Sequence, residues 1–145
     1  MPCNPSIGGP GKGHLVREIG VLGGEMPRCI DETCVQMKWL NTSKGPAVRS
    51  RRAQADKYLY RQRMLQALFT TSNLTVRQGH VIGLIVENGK VAGVKLETGS
   101  CFFCEKLIVT SGTYLNSRII LGRATWPGGP QNQSPALGLS ESLIE

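Results

Sequence analysis

A cysteine and a run of glycines stand close together near the amino end: Cys3-Asn4-Pro5-Ser6-Ile7-Gly8-Gly9-Pro10-Gly11-Lys12-Gly13-His14-Leu15. Four glycines within these thirteen residues leave backbone N–H groups free of Cβ obstruction, so the peptide chain can close on a ligand. A helix starting near Lys12 would present its first amides there and favour negative charge. In that field, with Lys12 beside it, Cys3 would be held as a thiolate and could act as a nucleophile. The competing reading is a glycine-rich surface turn with an incidental cysteine.

Two phosphate motifs are excluded by spacing. A P-loop needs Gly-x-x-x-x-Gly-Lys-Ser/Thr, but Ser6 stands five residues before Gly11, and Gly13 follows Lys12. The dinucleotide fingerprint needs Gly-x-Gly-x-x-Gly. From Gly9 its last position falls on His14, and from Gly11 on Val16.

The elements that must position these residues follow from period and punctuation. A first helix spans about Lys12 to Leu22 and stops at Gly23-Gly24. Residues 25–35 read as irregular, and Val35 to Leu40 alternates as a short strand. A loop from Asn41 to Arg52 contains Gly45-Pro46. Residues 53–70 read as a helix with Ala55, Leu59, Leu65, Leu68 and Phe69 as its apolar stripe, and Asn73 to Arg77 as a strand. Residues 81–87 and 91–97 flank Asn88-Gly89-Lys90, the strongest short hairpin signal in the chain. Cys101 to Cys104 adds a third strand, making a meander. Leu107-Ile108-Val109-Thr110 reads as a buried parallel strand ending at Ser111-Gly112-Thr113. Beyond Leu121 the chain reads as loop, with a weak helix near Leu139. This order matches one half of a doubly wound α/β domain with a β-meander as crossover.

At 145 residues the chain is one domain or part of one, and 40% hydrophobic content argues against disorder. Seventeen basic against ten acidic residues leave a formal charge of +7, which suits an anionic partner such as nucleic acid or a phosphate-rich cofactor. Five irregularly spaced cysteines fit a reduced, cytoplasmic setting better than a disulfide framework. The first residues lack the basic and apolar regions of a secretory signal, and no apolar run reaches membrane-spanning length.

Long blocks, in order, carry a resemblance to a known family: Cys3 to Ile19, Leu40-Asn41-Thr42-Ser43-Lys44-Gly45-Pro46-Ala47-Val48-Arg49 with Arg52-Ala53-Gln54-Ala55-Asp56, and Thr110-Ser111-Gly112-Thr113-Tyr114-Leu115. Together they resemble the GidA (MnmG) family of FAD-dependent enzymes that add a carboxymethylaminomethyl group to the wobble uridine of tRNA. The resemblance implies a partial FAD/NAD(P)-binding domain of the glutathione-reductase-like, doubly wound class, with an inserted antiparallel meander. The Gly-x-Gly-x-x-Gly unit would precede Met1, and the helical carboxy-terminal domain would follow Glu145. It also implies FAD as cofactor, NADH as reductant and methylenetetrahydrofolate as one-carbon donor. The implied partners are tRNA, the GTPase MnmE and a second copy of the full-length protein, with no membrane.

Residue by residue, the resemblance places Cys3 as the catalytic candidate, since a thiolate adding at C6 would make uridine C5 nucleophilic. The alternative is that Cys3 packs beside the flavin. Asn4, Gly8, Gly9, Gly11, Lys12 and Gly13 would border the cofactor or substrate pocket. Val81 would meet the adenine side of FAD, and Thr110 and Gly112 would form a second cofactor turn. Ser43, Lys44 and Arg49 would contact substrate. Pro10, Gly20 and Pro130 depart from the family's usual residues, and Ala136 replaces a serine that contacts FAD there. The alternative function is a non-catalytic remnant or interaction fragment of such a domain.

Lys44, Arg49, Arg51, Arg52, Lys57, Arg61 and Arg63 are opposed only by Asp56. Such a cluster could neutralise phosphates, or could be a solvated face, the better reading for Lys57, Arg61 and Arg63. Zinc at Cys29, Cys34, Cys101 and Cys104 is disfavoured by spacing, and no metal is expected. Trp39 and Trp126 read as packing residues.

Overall fold

The computed structural model describes residues 4–144, so Cys3 lies outside the described residues. The chain divides into two compact units between Val76 and Arg77. Both are mixed α/β structures built on antiparallel ladders.

The amino-terminal unit begins with strand β1 (Ser6–Gly8), helix α1 (Gly13–Val21) and helix α2 (Glu25–Thr33). Strands β2 (Cys34–Leu40) and β3 (Ser50–Ala55) follow, then helix α3 (Lys57–Thr70). The sheet order is β1-β3-β2, all antiparallel. Helix α1 ends as its glycines require. Gly23 takes φ +83°, its amide donates to Gly20 O, and the Gly24 amide donates to Ile19 O at 2.8 Å, closing the orphan carbonyls.

Residues 25–33 form a helix where the sequence reads as irregular. Glu25 in the first turn suits the helix dipole, and Pro27 falls where an amide would be orphaned in any case. Cys29, Ile30 and Thr33 share its inner face and are buried. They form the core with Ala53 and Ala55 of β3 and Tyr60 of α3, against which Ile7, Cys34 and Met64 pack.

Strand β3 occupies part of the segment expected as loop and the first residues of the expected helix. Its charged Arg51-Arg52 step conceals a strand that exists because partners flank it on both sides. Helix α3 therefore starts at Lys57, where the Asp56 carboxylate caps it by accepting from the Tyr58 and Leu59 amides, both at 2.9 Å. Its inward residues are Tyr60 and Met64. Leu59 and Phe69 of the expected stripe are exposed, at 48% and 69%. Asp56→Ala should cost about 1 kcal/mol, read as a lowered urea midpoint at unchanged m-value; no shift would deny the cap.

Arg63 of α3 ties down α2. It stands 2.8 Å from Glu25, an ion pair without hydrogen-bond alignment, and donates Nε–H to Glu32. The Arg63 hydrogen bond holds the Glu32 carboxyl below its ordinary pKa.

The carboxy-terminal unit contains a meander of β4 (Val81–Glu87), β5 (Lys90–Leu96) and β6 (Cys101–Phe103). The β4–β5 turn has φ +51° at Asn88 and +73° at Gly89, the two left-handed residues that this hairpin demands. A second hairpin joins β7 (Arg118–Leu121) to β8 (Ala124–Pro127) through Gly122, in a stretch expected mostly as loop. Helix α4 (Leu139–Ser142) buries Leu139, and Ser142 Oγ accepts from the Leu84 amide of β4 at 2.8 Å. The strands expected at residues 73–77 and 107–110 are not formed. The run Leu107 to Thr110 is apolar but finds no ladder partner among the described residues, and Ile108 is 85% exposed. No helix among the described residues is long and apolar enough to cross a membrane.

Candidate functional site

The glycine turn is tied to β3 rather than held open along its length. Arg51 O accepts from the Gly9 amide at 2.8 Å, and Gly9 O accepts from the Lys12 and Gly13 amides at 3.1 and 2.8 Å. Gly8 has φ +95°, and a Cβ there would run into Arg51 O. A Cβ on Gly13 would stand 3.1 Å from the same oxygen. The glycines at 8 and 13 thus permit close contact between turn and strand. Gly11 differs: with φ +67° it has nothing within 4 Å of its Cβ position. The amides of Gly11, His14 and Leu15 have no hydrogen-bond partner among the described residues. Asn4 Oδ1 accepts from Gln54 Nε2 at 3.1 Å, which fixes it to β3.

Beside this turn lies a cleft of about 560 Å³. Met37, Trp39, Arg51 and Ala53 line it from β2 and β3, His14, Val16 and Arg17 from α1, and Pro27, Ile30 and Asp31 from α2. Ile7, Gly8, Gly13, Arg49 and Ser50 complete it. Of the sequence-predicted site residues it gathers Gly8, Gly13 and Arg49. Ser43 and Lys44 are exposed on the neighbouring loop and do not line it. That loop is closed by its own residues: Arg49 Nη2 donates to Thr42 O and Asn41 Nδ2 to Val48 O, each at 3.1 Å. Arg51 lies over the Trp39 ring, 4.8 Å from its centroid, and Trp39 is 54% exposed rather than packed inside. Three guanidinium groups here face one carboxylate, Asp31.

A second cleft, of about 330 Å³, lies in the carboxy-terminal unit. It joins residues far apart in sequence: Val81, Leu84 and Val94 of the meander, Leu107 to Ser111, Tyr114, Ala136 and Leu139. Val81 and Thr110 therefore share one largely apolar cavity with Ala136. Gly112, with φ +61°, does not line it. The Ala136 amide donates to Tyr114 O at 2.8 Å, which brings residue 136 to this wall.

Cys29 is fully buried, its Sγ donates to Tyr60 O at 3.5 Å, and burial pushes its pKa up, so it stays a thiol. Cys29 and Cys34 belong to one unit, Cys101 and Cys104 to the other. Among the described residues no group of three or more His, Cys, Asp or Glu could hold a metal.

The family model "Glucose inhibited division protein A" matches residues 1–145. A protein of Heliobacterium modesticaldum named tRNA uridine 5-carboxymethylaminomethyl modification enzyme MnmG is 52% identical over 143 residues, 99% of this chain and 22% of its own length. The Bacillus subtilis protein of the same name is 54% identical over 145 residues, 100% of this chain and 23% of its own. The structure of Aquifex aeolicus GidA superposes with TM-score 0.90 at 45% identity, covering 99% of this chain and 24% of that one. The chain thus spans less than a quarter of the length of these curated relatives.

Proposed function

The chain belongs to the glucose inhibited division protein A family, and from that premise we propose that it forms part of an enzyme that modifies C5 of the wobble uridine of tRNA. The observation that carries this reading is unbroken similarity, from one end of the chain to the other, to relatives named for that modification. In this reading the chain is part of a doubly wound FAD-binding domain, with residues 81–103 as its inserted meander. The enzyme uses FAD, NADH and methylenetetrahydrofolate, works with an MnmE-type GTPase, and acts as a homodimer in the cytoplasm.

The residues present fit a portion of FAD. A cavity of about 330 Å³ lies at the lower end of the range for small-molecule sites, and it has the apolar lining with few polar groups that such sites use. Val81 and Thr110 would hold that portion, with the Thr110–Gly112 turn bringing backbone close. When bound, FAD supplies electron transfer and carries the one-carbon unit. In the amino-terminal unit Gly11 offers the open face of the glycine turn, while the Gly9, Lys12 and Gly13 amides are already spent on the fold. Cys3 is the proposed nucleophile. Its thiolate would add to uridine C6, and the displaced electron pair would let C5 bond the electrophilic one-carbon unit, whose carrier keeps the electron pair of the bond broken there. A base would then take the C5 proton as the C6–S bond breaks and the thiolate leaves.

A hybrid in which these 145 residues replace the matching segment of the Bacillus subtilis relative tests the cofactor assignment by flavin titration. Thr110→Trp should weaken FAD binding about tenfold or more by obstructing the cavity. Its thermal midpoint should hold, because Thr110 is exposed. Unchanged affinity would remove the carboxy-terminal cleft from the site. The 145-residue chain alone, with no Gly-x-Gly-x-x-Gly, should bind FAD weakly or not at all.

A further inference from the structure

We propose that the cleft of the amino-terminal unit is a phosphate subsite for the RNA substrate, with Ser50, Arg17 and Arg51 as its donors. The inference rests on the tRNA-modifying function proposed above. Ser50 lines the cleft at 4% exposure, and its Oγ has no hydrogen-bond partner. A hydroxyl withdrawn from water and left unpaired costs stability, and an incoming oxyanion would pair it. The Ser50 Cβ lies 3.8 Å from where a Gly13 Cβ would stand, so the side chain sits beside the first turn of α1. There the His14 and Leu15 amides have no partner among the described residues.

The guanidinium groups supply charge and direction. Arg51 is held against the Trp39 face, which fixes the plane of the fork while leaving its N–H edges for an oxyanion. Arg17 faces it from α1, and neither has an ion-pair partner among the described residues. Arg49 is partly committed, since it donates to Thr42 O. The one opposing charge at the cleft is Asp31.

Three guanidinium groups, from Arg17, Arg49 and Arg51, line the cleft against one carboxylate. That is more positive charge than one phosphodiester neutralises, which favours a chain of phosphates over a single one. Each such contact releases counterions and leaves a salt-dependent signature.

Binding of labelled tRNA to the full 145-residue chain, measured across a range of KCl, tests the site. Arg17→Gln and Arg51→Gln should each flatten the log Kd against log salt slope by about 0.7 to 0.9. Ser50→Ala should weaken binding about tenfold without changing the slope, and should raise the thermal midpoint because the orphaned hydroxyl is gone. Inorganic pyrophosphate at matched ionic strength should compete no better than KCl. Binding that all three substitutions leave untouched would overturn the subsite alone. So would a Ser50→Ala protein of lower thermal midpoint, which would mean that the hydroxyl is already paired within the fold. Specific displacement by pyrophosphate would transfer the cleft to a phosphate-bearing cofactor and overturn the RNA assignment. No tRNA binding by the unsubstituted chain would overturn the subsite and leave the proposed function standing, since that function belongs to the whole enzyme and is tested in the hybrid.

Discussion

Gly8→Ala should destabilise the protein by about 3 kcal/mol, seen as a large fall in urea midpoint, while Gly11→Ala costs about 1 kcal/mol. Both glycines have positive φ, +95° and +67°, so both substitutions strain the backbone. The difference is what a methyl group would meet. At Gly8 it runs into the Arg51 carbonyl oxygen, in the middle strand of the sheet; at Gly11 it meets open space. That oxygen also accepts from the Gly9 amide, so the turn cannot lift off β3 without losing a hydrogen bond. Equal costs at the two positions would mean that the turn is not seated on β3.

Replacing Cys3 by alanine in the hybrid enzyme should lower the rate of wobble-uridine modification on the order of a thousandfold or more, the scale on which nucleophile removal acts. Flavin content and thermal midpoint should stay as they were. An undiminished rate would assign Cys3 to packing and require another activator for C5. A serine in its place should not restore the rate, because a hydroxyl at neutral pH is a far weaker nucleophile than a thiolate.

What the sequence revealed was local chemistry. Asn88-Gly89 demands two left-handed residues and delivers the meander, and Gly23-Gly24 closes α1 with the two hydrogen bonds such an ending needs. What it concealed was decided by partners distant in sequence. Arg51-Arg52 reads as a solvated loop until β1 and β2 pair on either side of it. Helix α2 was hidden by Pro27 and its charges, although Cys29, Ile30 and Thr33 do share one face. Leu107 to Thr110 has a strand's composition without a ladder, because composition reports burial preference and not pairing. The glycine turn was legible as a close approach, but its nearest neighbour proved to be β3. Neither cleft could be read in advance. Val81, Thr110 and Ala136 meet only through the fold, and the unpaired hydroxyl of Ser50 carries no sequence signal at all.

The proposed function is tested most directly by the nucleosides of the tRNA itself. In Bacillus subtilis cells whose own enzyme is replaced by the hybrid, digested tRNA should contain the 5-carboxymethylaminomethyl nucleoside at the level made by the native enzyme. Its loss, with the hybrid present, folded and holding flavin, would contradict the enzymatic reading and leave this chain as a non-catalytic descendant of the family.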